Sequence, residues 1–108
     1  LANQAGRKEA KIGVRAGDVD FATRKIIEEQ GFGEFFTHRT GHGLGLEIHE
    51  EPYIKPESEF LLEKGMTFTI EPGVYIPKLG GIRIEDDVCL KSSGLVSLTN
   101  LPRDLVIV

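Results

Sequence analysis

The sequence predicts an α+β domain, with helices first and a mainly antiparallel sheet after them. Three observations carry this. Helical periodicity is confined to the first third of the chain, strict alternation of apolar and polar residues begins only near Met66, and the stretch between is too rich in glycine for a regular helix. At 108 residues the chain is long enough for one packed body and too short for two. With 40% hydrophobic and 28% charged residues it has the composition of a folded, soluble protein.

Residues 1–12 permit a weakly amphipathic helix whose candidate buried face is Leu1, Ala5 and Ile12. Residues 16–30 read more clearly: Val19, Ala22, Ile26 and Ile27 recur at helical spacing, Asp18 and Asp20 fall in the first turn as charges suited to a helix N-terminus, and Gly31 follows the last periodic residue. In "EKGMTFTIEPGVYIP" Met66, Phe68 and Ile70 alternate with Thr67, Thr69 and Glu71, which predicts a strand with one apolar face and Glu71 on the polar side. Gly80-Gly81 then reads as a hairpin turn, with Ile82 and Ile84 pointing one way and Arg83 and Glu85 the other. "LVSLT" and "DLVIV" are expected to be short strands. There is no internal repeat and no low-complexity segment.

The formal charge of −4 and the scattered Lys and Arg residues exclude a phosphate backbone as partner. No apolar run approaches the roughly 20 residues that span a bilayer, and no signal peptide opens the chain. No nucleic acid and no membrane are therefore expected as partners, and a cytoplasmic location is. The one cysteine, Cys89, fits a reducing compartment and a role as a small apolar filler in a strand. Leu1 is not an initiator, and the opening residues read as the interior of a longer protein.

All three histidines fall in "THRTGHGLGLEIHEEPYI", residues 37–54, at spacings of four and seven. Gly41, Gly43 and Gly45 suit a sharply turning backbone, so His38 and His42 are not expected to form a helical metal-binding pair. Together with Glu71, Arg83 and Glu85 the histidines make a candidate metal site, because strands joined by a tight turn bring the two carboxylates near each other. Imidazole and carboxylate suit zinc, manganese, iron or cobalt without any thiolate. Singly, each residue has an ordinary explanation. A buried histidine is commonly a satisfied core residue, a strand glutamate is usually solvated, and Arg83 with Glu85 could be an exposed ion pair worth at most ~1 kcal/mol. "GHGLG" lacks the lysine and the strand-turn-helix setting of a phosphate loop. A structural zinc would need four closed ligands, and only three candidates are visible.

Taken together, the motifs are specific. "HRTGHGLGLEIHEEP", then "GMTFTIEPGVY" with Glu71 lying 29 residues after His42, then "GGIRIEDDV" with Glu85 another 14 on, resemble the C-terminal half of the pita-bread metallopeptidases, the family of Xaa-Pro peptidases, prolidases and related aminopeptidases. The resemblance runs from "GVRAGDVD" to "DLVIV". It implies helices packed on a curved, mainly antiparallel sheet, and hydrolysis of the bond between an N-terminal residue and proline through a water activated between two divalent ions. By that resemblance His42 and Glu71 ligate one metal, Glu85 bridges both, His38 and His49 hold the substrate and stabilise the tetrahedral intermediate, and Arg83 supports the bridging carboxylate. Glu71 also handles the water's proton. Manganese is the first expectation for the metal, with cobalt, zinc or iron as alternatives. The partner implied is a peptide with proline at its second position, and the resemblance admits a homodimer.

The family's centre also takes two aspartates from a hairpin ahead of the helix that corresponds to residues 1–12. Asp18 and Asp20 stand in the wrong place for that pair. Residues 1–108 are therefore expected to be the C-terminal portion of a catalytic domain, without the Asp-Asp hairpin or an N-terminal domain, and to hydrolyse nothing alone. Methionine aminopeptidases share "GHG…HEEP" and "TIEP", but "GGIRIEDDV" looks like the prolidase side. The reading of another class is a pita-bread module that has lost catalysis and binds peptide or protein.

Overall fold

The computed structural model describes residues 1–108, with two helices ahead of seven short strands. Helix α1 spans Ala2–Glu9 and α2 spans Ala16–Glu29. The face that α1 buries is not the expected one: Asn3, Gly6 and Ala10 are inside, while Leu1 is 87% and Ile12 52% exposed. The reason is steric. A Cβ at Gly6 would run into the Thr23 hydroxyl of α2 and stand 3.0 Å from the Ile70 side chain, so the helices cross where α1 has no side chain at all.

Helix α2 matches its expected limits to within a residue and buries Ala16, Val19, Thr23 and Ile27. Its first N–H groups are met by the connector before the third strand: Ala16 N–H donates to the Phe60 carbonyl (2.8 Å) and Gly17 N–H to that of Ser58 (2.9 Å). Asp18 lies at the surface on Arg15 at 2.8 Å. Asp20, however, is 1% exposed and is not a helix-end charge.

Strands β1 (Gly41–Gly43), β2 (Glu50–Ile54), β3 (Thr67–Ile70), β6 (Asp86–Lys91) and β7 (Gly94–Ser97) form one antiparallel sheet in the order β2-β1-β3-β6-β7. Strands β4 (Gly73–Ile76) and β5 (Gly80–Arg83) form a separate hairpin. The long run expected as one strand thus breaks at Pro72, which has no N–H to continue the β3 ladder. The hairpin turn is Pro77, Lys78 and Leu79, with Lys78 at φ 66°; Gly80 and Gly81 lie on the returning strand, paired with Ile76 and Tyr75. The core is one cluster in which Ala16 and Val19 of α2 meet Ile54, Phe68, Ile70, Val88 and Leu90 of the sheet. Cys89 lies on β6 as expected but is half-buried, and its neighbours Val88 and Leu90 are the core residues.

"LVSLT" supplies β7, whereas "DLVIV" forms no strand. Residues 104–108 are exposed and pair with no neighbour, and an extended apolar segment is a strand only where another backbone answers its N–H and C=O groups. No helix is long and apolar enough to cross a membrane.

The tail ahead of those residues is pinned by a buried charge. Asp86, 2% exposed, holds the Arg103 guanidinium through both carboxylate oxygens, at 2.8 and 2.6 Å, and accepts from Thr99 at 3.1 Å. Burial alone would push its carboxyl up; the hydrogen bonds from Arg103 and Thr99, with the Asn3 amide close by, outweigh that and lower it to about 2. A carboxylate held below its ordinary value of 3.8 stabilises the fold fully above that pH, and the contribution disappears as pH falls toward 2. The unfolding free energy from urea titrations should therefore drop between pH 4 and pH 2 in the wild type, by on the order of 2 kcal/mol. In Asp86→Asn the fold should be weaker at neutral pH and this acid limb largely absent.

Candidate metal centre

The histidine segment is carried by a polar clamp from α2. Arg24 holds both oxygens of Asp20 (2.9 and 3.1 Å), stacks over the Phe36 ring at 4.1 Å, and donates to the carbonyls of Phe36 (3.0 Å) and His38 (2.9 Å). Asp20 in turn accepts from the Thr40 hydroxyl (2.8 Å) and the Thr40 N–H (3.2 Å). A loop without regular structure is thereby fixed at three successive points. Sequence periodicity could not find this clamp, because Asp20 and Arg24 look like an ordinary exposed i,i+4 pair.

His42 sits in the middle of β1, buried between β2 and β3. The glycines on either side serve close approach and not a sharp turn. A Cβ at Gly41 would collide with the Thr69 carbonyl and one at Gly43 with that of Glu51, while neither glycine has a positive φ. The backbone N–H of His42 donates to Thr69 Oγ1 (3.0 Å), and that hydroxyl donates to Glu71 Oε1 (2.8 Å). Thr69, read from the sequence as facing the polar side, is 1% exposed because it lies beneath this network.

The ring of His42 has its Nδ1 3.0 Å from the Gly43 carbonyl, so Nδ1 carries the proton and Nε2 presents a lone pair. That Nε2 stands 3.1 Å from Glu71 Oε1. Two acceptors facing each other at this distance, each mostly buried, call for a proton or a cation between them. Glu71 follows β3 directly, its N–H bonded to the Thr40 carbonyl at 2.7 Å. Glu85 lines the same cavity, just ahead of the Ile70–Asp86 pair of the β3–β6 ladder, and is linked to Glu71 through Arg83, whose Nε is 3.8 Å from Glu71 and 3.6 Å from Glu85. Burial, then the charge of Glu71 and more weakly that of Asp87, pushes the Glu85 carboxyl up against the opposing pull of Arg83 and His42.

His38 and His49 line the same cavity, an open space of about 810 Å³. The Nδ1 of His38 donates to the Arg39 carbonyl (2.7 Å), so its Nε2 accepts from the Tyr75 hydroxyl (2.9 Å). Tyr75 was not singled out in the sequence. Its place four residues after Glu71 on β4 is what delivers it. The exposed His49 meets the His42 ring nearly edge-on, with centroids 4.3 Å apart. Arg39, stacked over Tyr53 at 4.9 Å, and Lys55 complete the cavity's basic side. All six residues expected from the sequence, His38, His42, His49, Glu71, Arg83 and Glu85, thus face one space.

Residues 1–92 match the model of metallopeptidase family M24. The chain belongs to this family. Across 97 residues it is 52% identical to the Xaa-Pro dipeptidase of Pyrococcus furiosus, a match covering 90% of this chain and 28% of that protein. Among solved structures, a dipeptidase from Pyrococcus horikoshii OT3 superposes with a TM-score of 0.96 at 51% identity, covering 99% of this chain and 30% of that one. The Xaa-Pro dipeptidase from Bacillus anthracis superposes with a TM-score of 0.95 at 47% identity over 99% and 30%. The α+β pita-bread architecture expected from the sequence is therefore the one this M24 chain has. It spans under a third of the length of the relatives it matches.

Whether these residues fit a metal can be asked of the donors themselves. The M24 chain offers nitrogen and carboxylate oxygen, the set that suits hard and borderline divalent ions. His42 and Glu71 converge with their acceptor atoms facing, which fits such an ion. No three His, Cys, Asp or Glu side chains are close enough to enclose one, so the fit is to one side of a centre.

Proposed function

We propose that residues 1–108 form one side of a metallopeptidase centre that hydrolyses the bond before proline in peptides with proline at the second position. The observation that carries this reading is the 3.1 Å approach of His42 Nε2 to the Glu71 carboxylate, two acceptors that a shared cation would reconcile. His42 and Glu71 would hold one divalent ion and Glu85 would reach it and a second, with manganese favoured and cobalt, zinc or iron as alternatives. A divalent ion bound there supplies a Lewis acid to the scissile carbonyl.

The protein's own groups do the rest. Glu71 accepts the proton of the attacking water. His49, at the mouth of the cavity, donates to the carbonyl oxygen as negative charge develops. His38 has its Nε2 already accepting from Tyr75, so it donates to the substrate only after taking up a proton, and the tyrosine sets its orientation meanwhile. Arg83 offsets the paired negative charges of Glu71 and Glu85. Preference for proline is supported by relatives named as Xaa-Pro dipeptidases, and a cytoplasmic setting by the single free cysteine.

Because no three donors converge, the chain alone is expected to bind Mn(II) weakly and to release no product from Ala-Pro. Exchanging it for the matching segment of the Pyrococcus furiosus Xaa-Pro dipeptidase gives the decisive test. The chimera should hydrolyse Ala-Pro in a metal-dependent way, and its Glu71→Gln version should lose at least about a hundredfold in kcat. A folded chimera with no activity would sink the reading. The incomplete donor set also favours a second reading, a peptide-binding module without catalysis, which requires that the chimera be recovered without stoichiometric metal.

A further inference from the structure

Asn3 lies in the first turn of α1, 5% exposed and far in sequence from every residue of the cavity. Its side-chain amide donates one N–H to the carbonyl of Ile70 (3.1 Å) and the other to that of Ile84 (3.2 Å). Ile70 immediately precedes Glu71, and Ile84 immediately precedes Glu85. The two stretches meet at the end of the β3–β6 ladder, whose last pair is Ile70 with Asp86, and from there the chain runs into the separate β4–β5 hairpin. Beyond that last ladder pair, Ile84 N–H donates to the Pro72 carbonyl at 3.2 Å. The amide oxygen of Asn3 is itself fixed, accepting from Arg7 Nε at 2.8 Å, and Arg7 stands 3.7 Å from Asp86.

The residue type follows from this arrangement. Gripping two carbonyls from one point needs two N–H groups on one short, uncharged side chain, which a carboxamide has. Aspartate would set a negative charge against two carbonyl oxygens, and leucine would take the amide donor from both carbonyls and leave Arg7 only Asp86 at 3.7 Å. We infer that Asn3 is a positioning residue which, by holding the carbonyls that precede Glu71 and Glu85, sets the spacing of those two carboxylates so that both face one ion. The inference rests on the reading that the pair shares a metal.

Mn(II) uptake by the 108-residue chain, followed by electron paramagnetic resonance of the free ion, separates this role from a general tie between helix and sheet. Asn3→Leu should weaken uptake at least about tenfold, as loss of a partner behind a metal ligand does. Val19→Ala, which thins the core without touching the cavity, should leave uptake unchanged at matched folded fraction. Asn3→Gln keeps both N–H groups on a longer arm and folds even where leucine does not, and its uptake should lie between those of leucine and wild type. If Asn3→Leu and Asn3→Gln bind Mn(II) as Val19→Ala does, the positioning role is overturned while Glu71→Gln still abolishes uptake and the metal reading stands. If wild type takes up no Mn(II) at millimolar concentration, or its uptake ignores Glu71→Gln, the metal reading falls and the role of Asn3 falls with it.

Discussion

Asp20→Ala is expected to cost about 3–5 kcal/mol of unfolding free energy and to release the loop that carries His38, because it strands a partly buried guanidinium, the Thr40 hydroxyl and the Thr40 N–H at once. Arg24 would keep its bonds to the Phe36 and His38 carbonyls but lose the carboxylate that compensates its charge, while Thr40 would lose the acceptor for both its hydroxyl and its N–H. With native domains stable by only about 5–15 kcal/mol, that loss is a large fraction of the whole. Urea denaturation measures it directly. Replacing both partners together, as Asp20→Leu with Arg24→Met, should recover a good part of the stability, since an apolar pair of similar volume leaves no buried charge unpaired. It should not recover the ordering of the loop, which depends on the guanidinium gripping two carbonyls. Amide hydrogen exchange over residues 36–40 distinguishes the two effects. A loss under about 1 kcal/mol for Asp20→Ala would mean the clamp is no stronger than an exposed ion pair.

Gly41→Ala carries the second large effect. The added methyl would meet the Thr69 carbonyl oxygen head-on and stand 2.7 Å from its carbon, and both are backbone atoms of β3 that cannot swing aside. Strand β1 must therefore lift away from β3. That breaks the contact of the His42 N–H with Thr69 Oγ1 and displaces the imidazole from Glu71. Destabilisation of about 3 kcal/mol or more is expected, at the upper end for overpacking, together with loss of Mn(II) uptake. Gly45→Ala is the control. Its methyl would meet only the carboxylate end of Glu50, a flexible side chain that can move, so melting temperature and metal uptake should change little. Equal effects at the two positions would show that the glycines are needed for flexibility and not for close approach.

Much of the site could be read before any coordinates. Helix α2, the β3 alternation, the hairpin and β7 all announce themselves through short-range periodicity, which a chain of side chains displays regardless of what surrounds it. The six site residues were legible for a different reason, the joint spacing of three motifs. The misreadings share one cause. Leu1 and Ile12 were expected inside because they are apolar, but the crossing with α2 demanded a bare backbone at Gly6. "DLVIV" has the composition of a strand and lacks a neighbour to pair with. Asp20 looked like a helix-end charge until Thr40, twenty residues on, was found against it.

Alone, then, the sequence determined residue types, local periodicities and the order in which donors occur, since these depend only on neighbours along the chain. Tertiary structure decided which glycines are spaces between strands, which protonation pattern turns His42 Nε2 toward Glu71, and that a side-chain amide at position 3 joins the backbone just before two carboxylates 14 residues apart. Hydrogen bonds and close contacts act over about 3 Å of space, and separation along the chain says nothing about them until the fold closes it.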